Sequence, residues 1–193
     1  AGFMNKSFPW CAVGMSWMNG GAGKFASFFK TEKGIAPNGF RYVSVDAKEW
    51  DSSISDVFLD MVCELHKRIM GHLGVPNTYI ERFCDIFKDM INATVLFPGG
   101  HLFRLARGIK SGWCNTANDN TLIHELIFRG VEKDLGVCIR HKLYGDDNFM
   151  LVPNSIPTSA IVQAYGKAGI KLGTVHESSR LSDVDFLSKH IMY

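Results

Sequence analysis

The chain has 193 residues, a formal net charge of +2, 46% hydrophobic and 21% charged residues. That is enough for one domain with a real core, or for a piece of a larger one, and the near-balanced charge lacks the strongly basic excess of many nucleic-acid binders. Five scattered cysteines (Cys11, Cys63, Cys84, Cys114 and Cys138), with no C-x-x-C pair, argue against a disulfide framework or zinc site and for a reducing compartment.

No apolar run is long enough to span a bilayer, and no signal-like segment opens the chain. The start, AGFMNKSFPW, lacks an initiator Met, which leads us to expect a processed product or an excised fragment. No repeat or low-complexity tract divides the sequence. The nearest thing to a boundary is the polar, turn-rich FKTEKGIAPNGF (29–40), which sets an aromatic, glycine-rich segment (1–40) apart from a main domain (41–193).

In the main domain, RYVSVDA (41–47) alternates Tyr42, Ser44 and Asp46 with Val43, Val45 and Ala47, the period of a strand. SDVFLDMVCELHKRIM follows with Ser55 as helix cap and Phe58, Met61, Val62, Leu65 and Ile69 at helical spacing. NTYIERFCDIFKDMI repeats the device, with Asn77 as cap and Ile80, Phe83, Phe87 and Met90 or Ile91 on one stripe. ATVLFPGGHLFRLA reads as a hairpin around Pro98-Gly99-Gly100. A helix is expected over 116–128, then two strands in VCIRHKLYGDDNFMLV, a helix in PTSAIVQAYGKAG, a short strand in IKLGTV and another in DFLSKHIMY. With the inserted helix and hairpin set aside, the order is β-α-β-β-α-β, an α+β arrangement of ferredoxin-like type with helices on one face of an antiparallel sheet. In it the first strand neighbours the central hairpin, so Asp46 can meet Asp146 and Asp147.

The candidate functional residues lie in three places. Asp46 and Asp51 stand five apart at a strand end, and Asp146-Asp147 follow a glycine; either pattern alone is ordinary turn and cap chemistry. SGWCNTANDNT (111–121) carries more small hydrogen-bonding residues than a helix cap needs, and spacing places Thr116 and Asn120 on one side of the helix, facing one site. The coincidence of all three, in this order on this frame, is far less probable than any one.

The set DAKEWD, SGWCNTANDNT and YGDDN resembles motifs A, B and C of viral RNA-dependent RNA polymerases. FLSKH (186–190) is similar to their motif E, and PWCAVGMSWMNGGAGKF resembles fingers sequence of partitivirus-like and picobirnavirus-like polymerases. The resemblance implies a polymerase palm with part of the fingers, performing two-metal nucleotidyl transfer that adds ribonucleotides to an RNA 3′ end in viral genome replication and transcription. It implies two Mg²⁺ ions, replaceable by Mn²⁺, on Asp46 and Asp146 with Asp147 as the weaker participant; oxygen donors suit Mg²⁺, and bound cations relieve the repulsion between adjacent acids. Asp51 and Asn120, with Ser111, fall at the positions that read the 2′-hydroxyl; Thr116 joins them in positioning nucleotide and template, and Gly112 allows a mobile loop. An acid at 51, where reverse transcriptases carry a bulky aromatic, favours RNA synthesis.

The motif D lysine that usually protonates pyrophosphate has no clear counterpart: Lys171 comes early, and His176 or Glu177 stands near the usual position, so the general acid stays open between His176 and Lys171. Trp10, Trp17 and Trp50 read as packing residues, and His101, Arg104, Arg107 and Lys110 as a basic stripe before motif B. A basic motif F and a thumb are not apparent, with Lys6, Lys24, Lys30 and Lys33 dispersed. The expected partners are therefore RNA template and nascent RNA, ribonucleoside triphosphates, and the fingers and thumb of a longer polymerase or polyprotein, in the host cytoplasm, a replication complex or the virion interior. Two alternatives stand beside this: a catalytically incomplete palm acting as a structural or interaction module, and a reverse-transcriptase-like enzyme.

Overall fold

The computed structural model describes residues 7–18, 20–104, 108–109 and 112–190. The period-two segment forms strand β1 (Phe40–Ala47), and the two expected hairpin arms form β4 (Arg140–Tyr144) and β5 (Asp147–Pro153). With β6 (Leu172–Ser178) they make a four-stranded sheet in the order β4-β5-β1-β6, every neighbouring pair antiparallel. This is the strand order of the expected βαββαβ arrangement. The register Val45↔Asn148 sets the end of β1 beside the acid-bearing turn.

Helices follow from apolar spacing. The stripe predicted after Ser55 becomes α3 (Asp56–His72), but Leu59 and Val62 are its buried residues and Met61 is 45% exposed, because the stripe turns Leu59 rather than Met61 towards the sheet. In α4 (Asn77–Ile91) the cap position belongs to Pro76, and Asn77 is the first helical residue, one place later than predicted. Helix α5 (Thr116–Leu135) runs seven residues past its expected end at Phe128. Its apolar side continues through Val131, and Gly136 stops it in the left-handed conformation that glycine adopts at low cost. Helix α6 (Thr158–Lys167) completes the set, with α1 (Gly21–Phe28) in the N-terminal segment and a one-turn α2 (Trp50–Ser53) after β1.

Two cores lie on the two faces of the sheet. Val43, Val45 and Ala47 of β1 pack with Met150 and Val152 of β5 against Leu59 and Val62 of α3, Ile123, Ile127 and Phe128 of α5, and Ile161 and Tyr165 of α6. The opposite face carries Tyr42, Phe149 and Leu151, covered by Phe25 and Ala26 from α1, by Phe29 just after it and by Phe186. Phe149 is central there, with ring centroids 5.1 Å from Phe25, 5.0 Å from Phe29 and 6.1 Å from Phe186. The N-terminal segment also closes the β4 edge: Leu143 N–H donates to the Trp10 carbonyl and Ala12 N–H to the Leu143 carbonyl, both at 2.8 Å, which removes an exposed strand edge.

Arg41 ties the lower end of the sheet together. Its guanidinium donates to Glu177 on β6 (2.9 Å), to the Pro153 and Ile156 carbonyls (3.1 and 2.8 Å) and to Thr158 Oγ1 at the start of α6 (3.0 Å). The predicted hairpin appears as β2 (Thr94–Leu96) and β3 (Leu102–Arg104), with Leu96, Phe97, Leu102 and Phe103 exposed. The segment DFLSKHIMY is not one strand: β7 (Asp185–Phe186) and β8 (Lys189–His190) form a tight hairpin, because Leu187 and Ser188 both take positive φ, 56° and 54°. Residues 191–193 lie outside the described chain. Trp50 is buried, while Trp17 packs on Phe25 and Phe186, consistent with packing roles.

Phe149→Ala should therefore cost about 3–5 kcal/mol of unfolding free energy, the range for removing a large ring from a packed core. Denaturant unfolding of the variant measures it; a loss below about 1 kcal/mol would mean that the N-terminal segment does not share a core with the sheet.

Candidate active site

The site is built where strands end. Between Val45↔Val175 and Ala47↔Leu172 the β1–β6 register shifts, so β6 carries one extra residue opposite Asp46. A bulge of this kind bends the ladder and re-aims a side chain. Gly173 lies at the bulge, where an added Cβ would stand 3.7 Å from Asp46 Oδ2. Past Ala47, Glu49 adopts a left-handed conformation (φ 55°), a costly choice for a residue with a side chain. The reversal buries Trp50 and leaves Asp51 at the surface. Gly108 presses on the same turn from outside: it has φ 75°, and a Cβ there would lie 1.6 Å from the Asp51 carbonyl oxygen, which only glycine avoids.

The acid pair sits on the β4–β5 hairpin. Tyr144 pairs with Asp147, so Gly145 and Asp146 form a two-residue loop, and Gly145 supplies its positive φ of 60°. Both polar groups of the Gly145 backbone are held by α5. Its N–H donates to Thr121 Oγ1 (2.8 Å) and its carbonyl accepts from His124 Nδ1 (2.9 Å).

Two clefts open at this place. One, of about 540 Å³, is lined by Asp46, Lys48, Asp51, Asn120 and Asp146 together with the backbone turn between them. The second, of about 300 Å³, is lined by Ser44, Asp46, Asp146, Asp147, Thr174, His176, Asp185 and Ser188. Asp46 and Asp146 wall both. Burial raises the Asp146 carboxyl above the usual carboxylate range, and the charges of Asp46 and Asp51 add to the effect. Asp147 is pushed up to about 7, chiefly by burial and then by Asp146, Asp46 and Asp185.

Of the residues singled out in the sequence, Asp46, Asp51, Asn120, Asp146 and Asp147 meet around these clefts. Asn120 Oδ1 is buried and has no hydrogen-bond partner among the described residues; it shares the lining of the larger cleft with Asp51 and is free there to accept. Thr116 and Asn120 stand one turn apart at the start of α5, and the Thr116 hydroxyl donates to the Trp113 carbonyl (2.7 Å), closing the turn that starts the helix. Gly112 is exposed with φ 92°, and Ser111 lies outside the described residues, as do Arg107 and Lys110 of the basic stripe. His101 and Arg104 are exposed on the β2–β3 hairpin. His176 lines the second cleft, whereas Lys171 is exposed, its carbonyl accepting from the N–H of Lys48 (2.8 Å), a residue that lines the first.

Several participants were not singled out in the sequence. Lys48 was visible only as one residue of a motif, and Asp185 only as the neighbour of FLSKH. Asp119 is fully buried in the first turn of α5, accepting from Trp113 Nε1 (2.8 Å) and Asn115 Nδ2 (2.6 Å) and facing His66 Nε2 (2.6 Å). Those bonds fix the helix start that carries Asn120. The density of small polar residues in 111–121 was the available signal for it.

Among the described residues, no three or more His, Cys, Asp or Glu side chains are arranged to enclose a metal ion by themselves. Mg²⁺ binds in just such open sites, completing its shell with water and substrate phosphate oxygens. The donors fit that role: they are hard carboxylate oxygens, and their mutual repulsion is what a cation removes.

A family model described as viral RNA-dependent RNA polymerase matches residues 4–192. Among sequence relatives, the genome polyprotein of Sweet potato mild mottle virus (isolate Salazar) is 25% identical over 191 residues, 96% of this chain and 5% of the polyprotein. That of Zucchini yellow mosaic virus (strain Reunion Island) is 29% identical over 119 residues, 62% of this chain and 4% of the polyprotein. The chain thus spans a small fraction of the length of these relatives. Among solved structures, the RNA-dependent RNA polymerase of a human picobirnavirus superposes with a TM-score of 0.62 at 17% identity, over 80% of this chain and 29% of that one. Its insertion-loop deletion mutant gives 0.64 at 16% identity, over 80% and 30%. That likeness shows a shared fold.

The raised Asp147 carboxyl has a testable sign. Its folded value, about 7, exceeds the ordinary carboxylate value, so the folded chain gains from a proton that it loses as the pH rises through 7. Asp147→Asn should raise the melting temperature at pH 8 and do much less at pH 5, and Mg²⁺ should stabilise the parent at pH 8 more than the variant. Equal shifts at both pH values would contradict this charge crowding.

Proposed function

The chain belongs to the viral RNA-dependent RNA polymerase family, and from this premise we propose that it forms the catalytic palm of an enzyme that adds ribonucleotides to an RNA 3′ end on an RNA template. The carrying observation is that Asp46 and Asp146 wall two clefts at once, one of which also holds Asp51 and Asn120. Two substrates must meet at the acids for strand extension, and two clefts sharing the same acids provide for that.

On this reading the incoming nucleotide occupies the larger cleft. Its 2′-hydroxyl can donate to Asp51 or to the unpartnered Asn120 Oδ1, an arrangement that rejects a sugar lacking the hydroxyl because a buried acceptor would then stay unpaired. Lys48, on the wall of the same cleft, faces the triphosphate. The growing 3′ end lies in the smaller cleft, where Ser44, Thr174 and Ser188 offer hydroxyls for the sugar and phosphate. The 3′-hydroxyl gives up its proton to water as its oxygen attacks the α-phosphorus between Asp46 and Asp146, the bond to the bridging oxygen breaks, and pyrophosphate leaves on the Lys48 side. When bound, a pair of Mg²⁺ ions supplies the positive charge that lowers the pKa of the 3′-hydroxyl and stabilises the leaving pyrophosphate.

The general acid follows from the same division. Pyrophosphate needs its proton in the larger cleft, whereas His176 stands in the smaller one. Lys48 lines the larger cleft and its N–H donates to the Lys171 carbonyl, so we assign the role to a lysine of this pair rather than to His176.

In the full polymerase containing this chain, Asp146→Ala should abolish Mg²⁺-dependent, template-directed ribonucleotide incorporation; undiminished synthesis would overturn the proposal. Asn120→Ala should narrow the preference for ribo- over deoxyribonucleotides by about tenfold or more, the scale for losing a buried sugar hydrogen bond. An unchanged ratio in steady-state competition would remove Asn120 from the sugar site. His176→Ala should leave the rate of the chemical step largely intact, while Lys48→Ala and Lys171→Ala are measured in parallel for the loss.

A further inference from the structure

The turn that bears the acids is held by more than its own strands. His124 is fully buried in the middle of α5 and touches three different elements. Its Nδ1 donates to the Gly145 carbonyl (2.9 Å), immediately before Asp146. Because Nδ1 must carry the proton to meet a carbonyl, Nε2 of the neutral ring accepts from the Tyr165 hydroxyl of α6 (2.9 Å). That oxygen in turn accepts from Asn148 Nδ2 (2.9 Å), immediately after Asp147. The ring also packs on Trp50, centroids 4.9 Å apart, and Trp50 precedes Asp51. Burial pushes the His124 pKa down to about 4, which keeps the ring in the neutral form this chain of bonds needs.

One turn earlier on the same helix, the Thr121 hydroxyl donates to the Ala117 carbonyl (2.6 Å) and accepts from Gly145 N–H (2.8 Å). The residues on either side of the acid pair, Gly145 and Asn148, are thus bound into one buried network. It reaches from α5 to α6 and, through Trp50, to the turn that carries Asp51. Asn120, the neighbour of Thr121, faces the larger cleft from the same helix.

We propose that His124, with Thr121 and Tyr165, is a positioning residue of strand extension: it fixes the acid turn against the sugar-reading residues so that Asp146, Asp51 and Asn120 keep one mutual geometry. None of the three touches a substrate; they act through the Gly145 peptide and the Trp50 ring. The inference rests on the palm reading above. Fixing acid positions matters because a displacement of about 1 Å can cost on the order of a hundredfold in rate.

The test separates the bonds one at a time in the full polymerase. In His124→Asn the amide nitrogen takes the place of Nδ1 and keeps the Gly145 bond; in His124→Gln the amide reaches Tyr165 and loses Gly145. Tyr165→Phe removes only the hydroxyl. Expected are a fall in kcat of about tenfold or more for His124→Gln and Tyr165→Phe with nucleotide KM within about twofold, and partial rescue in His124→Asn relative to His124→Gln.

Amide hydrogen exchange over residues 144–149, read by mass spectrometry, should quicken in Tyr165→Phe whether or not the protein polymerises. Wild-type kcat in folded Tyr165→Phe and His124→Gln, or a loss no larger than their unfolded fraction, overturns the proposal, as does unchanged exchange. If the wild-type enzyme itself makes no RNA, the palm reading falls, and the exchange measurement still decides whether the network holds the turn.

Discussion

Two half-buried carboxylates, Asp146 and Asp147, are crowded beside the exposed Asp46, and the rest of the structure answers to that crowding. Asp147 is pushed up to about 7 and Asp146 is raised, each by burial first and by neighbouring acids second. A flexible loop would relax such repulsion by swinging the acids apart. Here the hairpin loop is only Gly145 and Asp146, and both polar groups of the glycine peptide are tied to α5. Asp46 is fixed independently, by the pairing of β1 with β5 and by the bulge that β6 forms opposite it. The repulsion is therefore held in place, and it becomes affinity for a cation when one binds.

Helix α5 organises the larger site because different sides of it do different work. Asp119 anchors its first turn to Trp113, Asn115 and His66, Asn120 faces the cleft, Thr121 and His124 hold the acid turn, and Ile123, Ile127 and Phe128 pack on the sheet. A helix with hydrogen-bonding residues buried this densely is stable only if they are satisfied. Most of them are bonded to one another or to backbone; Asn120 Oδ1 has no hydrogen-bond partner among the described residues, and Asn120 lines the larger cleft. The sheet supplies the rigidity behind this, with a core on each face and Phe149 and Phe186 among the aromatic residues on the side covered by α1.

The sequence made the frame legible because apolar periodicity reports local conformation, and a βαββαβ order leaves few ways to close a sheet. Asp46, Asp146 and Asp147 could be joined on that basis, since adjacency of β1 and the hairpin follows from topology. Strand and helix ends were less legible: Gly136 stopping α5, Pro76 capping α4 and the positive φ at Leu187 and Ser188 depend on a few local dihedrals. Least legible were bonds between residues far apart in the chain, such as His124 with Tyr165, 41 residues away. A buried histidine in such a helix gives no sign of its partner until the helices are docked. The Thr116 bond was of the local kind: its hydroxyl donates to the Trp113 carbonyl three residues back, a turn contact that spacing alone does not reveal. Kinship and shape also point to different groups, with viral polyproteins as sequence relatives and a picobirnavirus polymerase as structural neighbour.

The most direct test of this account is to place the cation. Crystals of the polymerase soaked with Mn²⁺ and a non-hydrolysable ribonucleoside triphosphate, measured at a wavelength where Mn²⁺ scatters anomalously, should show a peak between Asp46 and Asp146, with the ribose against Asp51 and Asn120. Anomalous density away from these two carboxylates, or a nucleotide seated in the smaller cleft beside His176, would contradict the account.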